Sequence, residues 1–337
     1  MHTIDTSNYQ LRTDLIIEEK IENENVEEEQ IDKIIVNRVE IKEDLNNKKK
    51  GKYTTISFED ITDKDNFKKV EKVLINELKK YIETYHLTEQ DTILIIGLGN
   101  PKSTPDSLGP KVVEQVLVTR YLYMLGEVEK GYKKVAAFKP EVTGTTGIET
   151  KEVVESLVQT TKAKLVIVID ALAASSINRV NRTIQITNTG INPGSGVGNN
   201  RQEISYGTLN IPVLAIGIPT IVDAATIVSD TFQYMLKQFS YKLNNINNQT
   251  LKFVHTSMQN YLKEKQELSK EKKEEVLGLV GTLTEEEFKQ LIYEVLSPIN
   301  SNLMVTPKEV DFLIDKLSLL ISNGLNKTLH ESFNPTN

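Results

Sequence analysis

The stretch Thr92-Ile93-Leu94-Ile95-Ile96-Gly97-Leu98-Gly99-Asn100 decides the fold. From Thr92 to Leu98 it is a continuous apolar run rich in β-branched side chains. It lacks the apolar/polar alternation of a half-exposed strand, and this is the pattern of a strand covered on both faces in a parallel sheet. Before it, Phe67, Val70, Val73, Leu74, Leu78, Tyr81, Ile82 and Tyr85 recur at the three-and-four spacing of an amphipathic helix over 63–87. After it, Pro110 opens a helical pattern to about Leu125, with proline in the first turn where its missing N–H costs nothing. The cycle then repeats. Lys134–Phe138 reads as a strand, and Thr146 with Glu149 reads as a capping box for a helix to about Thr161. KLVIVID (164–170), Thr183–Thr187 and IPVLAIGI (211–218) read as strands, and a helix follows over 223–239. The expected class is α/β, a mostly parallel sheet flanked by helices.

Working outward, the 337-residue chain is 39% apolar and 26% charged, close to a soluble globular average. A net charge of −7 argues against a nucleic-acid coat, which would need the opposite sign. The absence of cysteine excludes disulfides, thiolate nucleophiles and iron–sulfur clusters, and fits a reducing cytoplasm. The N-terminus shows no signal-peptide pattern, and no apolar run has the length of a membrane span. Residues 15–50, with Glu18, Glu19, Glu22, Glu24, Glu27, Glu28, Glu29 and Asp32 against Lys20 in their first half, read as an acidic flexible arm. Residues 51–337 read as the α/β domain, with a polar surface excursion at about 240–273. Two helices with capping boxes follow the excursion, Thr284 with Glu287 and Thr306 with Glu309, the second with Pro307 at its first helical position.

In an open parallel sheet the ligand site lies beyond the carboxyl ends of the strands. Gly97-Leu98-Gly99-Asn100 starts like a dinucleotide fingerprint, but Lys102 stands where the third glycine belongs. Asp106 is either a cap or Asx-turn residue ahead of Leu108, or a functional carboxylate. Asp170 ends the run Leu165–Ile169 at the expected end of its strand, where a buried carboxylate must be hydrogen-bonded, paired or functional. The loop Asn192-Pro193-Gly194-Ser195-Gly196-Val197-Gly198 could present backbone N–H groups to an anion or a peptide. It lacks the Lys-Ser/Thr pair of a phosphate loop and the glycines of a nucleophile elbow. His2, His86, His255 and His330 lie outside all these segments, which disfavours a Ser-His-Asp triad or a His-ligated metal. Carboxylates remain as the acid–base chemistry. Two held close together cannot both ionise easily, so one can activate water while the other donates a proton.

The segments GLGNPKSTPDSLGPKVV (97–113), VTGTTGIET (142–150), VIVIDALAASSINRVN (166–181), IQITNTGINPGSGVGNNRQEISYGTLNIPVLAIGIPTIVDA (184–224) and LMVTPKEVD (303–311) closely resemble the germination protease family of spore-forming bacteria. The resemblance implies an unusual aspartic endopeptidase that opens the degradation of small acid-soluble spore proteins. It implies a three-layer sandwich of the phosphorylase/hydrolase type, shared with hydrogenase-maturation proteases, and a cytoplasmic setting in the forespore or spore core. It also implies a homo-oligomer, a tetramer in that family. The family's essential aspartates match Asp106 and Asp170, and Gly99, Asn100, Gly194, Ser195, Gly196 and Gly198 are the expected substrate-binding residues. No cofactor, metal, membrane or nucleic-acid partner is expected. The family is made as a zymogen that trims itself. Here the pro-segment would be residues 1–14, cut between Asp14 and Leu15, although Ile16 and Glu19 stand where the family usually has small residues. The residues taken alone also allow a non-catalytic nucleotide- or anion-binding module.

Overall fold

The computed structural model describes residues 13–19, 26–44, 48–126, 128–194, 201–244, 269–296 and 303–333. The chain separates into two compact units, one holding Arg12–Val222 with the C-terminal residues from Thr306, the other Asp223–Val305.

The larger unit is built on strands β1 (Val26–Ile31), β2 (Ile34–Ile41), β3 (Gly51–Ser57), β4 (Thr92–Gly97), β5 (Lys134–Phe138), β6 (Ala163–Ala174), β7 (Thr183–Thr187) and β8 (Val213–Asp223). Their spatial order is β1-β2-β3-β7-β8-β6-β4-β5. Within it β5, β4, β6 and β8 run parallel, while β7, β3, β2 and β1 continue the sheet antiparallel. Helices are α1 (Lys64–Glu83), α2 (Leu108–Gln115), α3 (Arg120–Leu125), α4 (Thr143–Thr146), α5 (Thr150–Thr161) and α6 (Tyr206–Leu209). The apolar runs owe their continuity to burial on both sides. Ile93, Ile95, Ile167 and Ile169 pack with Leu74 and Leu78 of α1 and Val112 of α2, and with Leu317 and Ile321 of the C-terminal helix Val310–Leu329. Leu94, Ile96, Val166 and Val168 face the other way, onto Val154 and Leu157 of α5 and Leu209 of α6. The result is an α/β sheet between two helical layers, the expected class, but the sheet is mixed, half parallel and half antiparallel, where a mostly parallel one was expected.

The smaller unit holds α7 (Ala224–Asn244), α8 (Lys270–Leu277) and α9 (Glu285–Leu296). The Phe232 and Phe288 rings lie 4.3 Å apart between α7 and α9. The expected box before α9 forms, Glu287 N–H donating to Thr284 Oγ1 at 3.2 Å and Thr284 N–H to Glu287 Oε2 at 2.8 Å. Among the described residues no helix is long and apolar enough to cross a membrane.

Several local expectations are corrected. Residues 26–41, read as part of a flexible arm, form the β1–β2 hairpin, which extends the sheet edge. Its outer strand is exposed throughout, so its composition looked like that of a solvated tail. Arg38 ties it down through Glu27, Glu29 and the buried Glu77 of α1. The single helix expected over 110–125 is two, because Asn326 intrudes on the backbone between them. Its Oδ1 accepts from Leu117 N–H at 2.8 Å and its Nδ2 donates to the Gln115 carbonyl at 3.2 Å. Helix α5 starts at Thr150 with no side-chain cap, since Thr146 Oγ1 bonds locally around Ile148 instead. The Thr306 hydroxyl donates to the Thr220 carbonyl at 2.8 Å, so the last helix starts at Val310 rather than beside Pro307.

Candidate active site

Strand β6 outruns its neighbour. β4 ends at Gly97 opposite Ile169, and Leu98 N–H closes the ladder on the Ile169 carbonyl at 2.8 Å. Asp170 is therefore the first β6 residue past β4. It does not end its own strand, which continues to Ala174 because β8 still pairs with it on the other side.

The chain leaving β4 turns at Gly99, whose φ of +112° is a region L side chains avoid. A Cβ there would sit 2.0 Å from the Asp106 carbonyl oxygen, so glycine is what lets the loop fold back on itself. The return is a 3₁₀ turn over Thr104–Asp106, and the Asp106 carboxylate accepts the Asn100 N–H at 2.9 Å. Asp106 is not the cap of α2. Ser107 holds that position, and Asp106 serves the loop. Gly109, just inside α2, has no room for a Cβ between the Leu98 and Ile169 carbonyls, at 2.3 and 2.6 Å. This close approach sets the α2 entry against the end of β4 and the point where β6 runs on past it.

Burial pushes Asp106 up to about 6. Asp170, 6% exposed, is raised well above the ordinary carboxylate range, chiefly by burial, then by the charge of Asp106 and then by that of Asp14. Its carboxyl accepts the Ala171 N–H at 2.9 Å. Burial disfavours the charged form of both carboxyls, and the charge of Asp106 adds to that effect on Asp170. Asp170, the more buried, is the one pushed further toward its protonated form.

The third charge in this field belongs to the N-terminal segment, which lies along the overhang of β6. Asp14 N–H donates to the Ala173 carbonyl at 3.0 Å, and the Asp14 carboxylate accepts the Ala173 N–H at 2.9 Å. Gln185 on β7 brackets Leu15: its Nε2 donates to the Asp14 carbonyl at 2.9 Å and its Oε1 accepts Ile16 N–H at 2.7 Å. Lys48 Nζ donates to the same Asp14 carbonyl at 3.0 Å. Leu15 and Ile16 are wholly buried. Glu18 is anchored by the Ser175 N–H at 2.7 Å and by Arg179 Nε at 3.4 Å. Gln185 pairs with Gly217, and Gly217 with Asp170, so the three form one row across the sheet. A cavity of about 90 Å³ opens beside Asp14, bordered by Lys48, Leu172, Gln185, Gly190 and Gly217.

The structure thus brings Asp106, Asp170, Asp14 and Leu15 together. Gly99 and Asn100 are engaged in building the Asp106 loop, and the Asn100 N–H that a phosphate would need is already donated to a carboxylate. Gly194, at φ +75°, starts the glycine loop, whereas Ser195, Gly196 and Gly198 lie outside the described residues. Among the described residues no group of three or more His, Asp or Glu side chains has the arrangement of a metal site. Sequence reasoning missed Lys48, Gln185 and Arg179. Gln185 had a signal, being a polar residue between Ile184 and Ile186 in a short β-branched strand; Lys48, in a run of lysines, had none.

The germination protease family model matches residues 5–337 of this chain. A germination protease of Bacillus thuringiensis subsp. konkukian (strain 97-27) is 44% identical over 99% of this chain and 97% of its own length. That of Bacillus anthracis (strain CDC 684 / NRRL 3495) is also 44% identical, over 99% of this chain and 97% of its own length. That of Bacillus cereus (strain B4264) is 43% identical with the same coverage. Among solved structures, the NiFe hydrogenase maturation protease HycI from Thermococcus kodakarensis KOD1 is similar at 18% identity and a TM-score of 0.26, over 39% of this chain and 75% of its own. With the family model spanning nearly the whole sequence and relatives this similar end to end, the chain belongs to the germination protease family and is an endopeptidase.

Proposed function

We propose that Asp106 and Asp170 are the catalytic pair of an aspartate-dependent endopeptidase whose substrates are small acid-soluble spore proteins, and that the same pair cuts the chain's own Asp14–Leu15 bond. The observation that carries this reading is the pair of desolvated carboxyls, with the charges of Asp106 and Asp14 bearing on Asp170 and the Asp14 main chain held on Ala173 of the strand that carries Asp170. Asp106, with its value of about 6, is mostly ionised at neutral pH and acts as general base for water. Asp170 holds its proton and acts as general acid. Residues 1–14 are then the pro-segment, and the chain works in the forespore or spore core as a homo-oligomer. A tethered segment reaches millimolar effective concentration, so modest affinity is enough to occlude the site.

Asp→Asn keeps the size and the hydrogen-bond acceptor while removing the titrating proton. Each single variant should lose about 10²–10⁴-fold in turnover of a purified small acid-soluble spore protein. By mass spectrometry each should also retain residues 1–14. Either variant, folded by circular dichroism and still turning over at a near-normal rate, removes that residue from the pair.

A further inference from the structure

The Asp14 carbonyl oxygen accepts two side-chain donors at once, Gln185 Nε2 at 2.9 Å and Lys48 Nζ at 3.0 Å. We infer that Lys48 and Gln185 are the pair that polarises the carbonyl of the peptide bond being cut, in the pro-segment and in substrate alike. This rests on the reading of Asp14–Leu15 as the bond cleaved.

The Gln185 amide makes the contacts a neighbouring strand would make, one on each side of Leu15. It recognises main chain and is indifferent to the side chain it brackets, as suits a site serving more than one sequence. It is also rigid. The residue is 6% exposed in the middle of β7, and the pairing Gln185–Gly217–Asp170 fixes it two strands from the dyad. Two strand spacings are about 10 Å, the width in which one extended chain fits. Lys48 brings positive charge to the oxygen on which negative charge grows as water adds. A donor in place before the reaction stabilises that charge without reorganising. Burial lowers the Lys48 pKa, while Asp14, Glu19 and Glu18 oppose that shift and favour the charged form.

The clamp also sorts the dyad's protons. With both lone pairs of the carbonyl oxygen occupied by Gln185 and Lys48, the acid has no site left there. Asp106 takes a proton from water as the water oxygen bonds to the Asp14 carbonyl carbon, and the resulting oxyanion is held by Lys48 and Gln185. Asp170 then gives its proton to the Leu15 nitrogen and the C–N bond breaks, leaving a carboxyl on Asp14 and an amine on Leu15. The bond consumes one water, and the proton Asp106 has gained passes back through solvent to restore the pair.

The test is steady-state cleavage of a small acid-soluble spore protein by the full chain carrying Lys48→Met, Lys48→Arg, Gln185→Glu or Gln185→Met, with Asp106→Asn alongside. Lys48→Met and both Gln185 variants should lower kcat by about 10²–10³-fold while KM moves less than tenfold, the pattern of a donor engaged in the transition state. Lys48→Arg should recover part of the loss. A normal kcat with raised KM, or no change at all, makes these residues anchors of the segment and overturns the inference. If that happens while Asp106→Asn is inactive, the dyad stands without the clamp. An active Asp106→Asn removes the dyad itself. Should Gln185 variants fail to fold, Lys48→Met, at a partly exposed loop position, decides alone.

Discussion

Asp106→Asn should make the protein more stable at neutral pH while silencing it. A carboxyl whose pKa is higher in the folded than in the unfolded chain binds its proton more tightly when native. The native state therefore gains stability on acidification and loses it as pH rises through the window between the two values. For Asp106 that window runs from 3.8 to about 6. Two units at about 1.4 kcal/mol each set a ceiling near 3 kcal/mol. Because the side chain is only partly buried, about 1–2 kcal/mol is the realistic penalty above pH 7. Asparagine carries no charge to desolvate, still offers Oδ1 to the Asn100 N–H, and removes the repulsion on Asp170. Urea unfolding of wild type and variant at half-unit steps from pH 4 to pH 8 checks this. The curves should coincide near pH 4 and separate in favour of the variant through about pH 6, reaching a plateau above it. A variant less stable at pH 8, or a difference independent of pH, would refute the claim that the wild-type site is held under electrostatic strain.

Three further expectations follow from the same geometry. The rate of spore-protein cleavage, as kcat/KM, should fall on the acid side with an apparent pKa near 6, and a profile flat down to pH 4.5 would show that Asp106 is not the base. Gly99→Ala, which forces a Cβ against the Asp106 carbonyl at a positive φ, should cost at least about 2 kcal/mol in urea unfolding and lower turnover by displacing Asp106. Arg38→Met strips the β1–β2 hairpin of its tie and leaves the buried Glu77 with Lys80 alone; a loss of about 3 kcal/mol at neutral pH is expected from chemical denaturation, with activity per folded molecule unchanged.

The parallel half of the sheet was legible because its strands are buried on both faces and carry that fact in every residue. The antiparallel half was largely hidden. β1 is polar and exposed, and β3 lies in a polar stretch whose strand character comes from its partners β2 and β7. Capping boxes read correctly where the threonine had no competing partner, as at Thr284. At Thr306 a carbonyl 86 residues away took the hydroxyl. Asp170 could be picked out because a carboxyl at the end of an apolar run demands an explanation; Asp106 follows no such run, reads equally as a turn residue, and was marked by the family resemblance. The clamp could not, because it exists only when residues 14, 48 and 185 meet, and no periodicity links them.

The overhang of β6 beyond β4 has a bearing on which chains this enzyme can read. A strand edge with free N–H and C=O groups invites any extended polypeptide, and in this protein it is closed by Asp14 on Ala173. Were that segment cut away, a replacement would have to offer a main-chain N–H to the Ala173 carbonyl, an acceptor to the Ala173 N–H now met by the Asp14 carboxylate, and main chain to Gln185. A helix or a sheet has none to spare, since each is already spent internally. Admission is therefore decided first by conformation and only then by side chains: a compact protein is passed over for want of bare main chain, and a chain that can unwind over a few residues is taken.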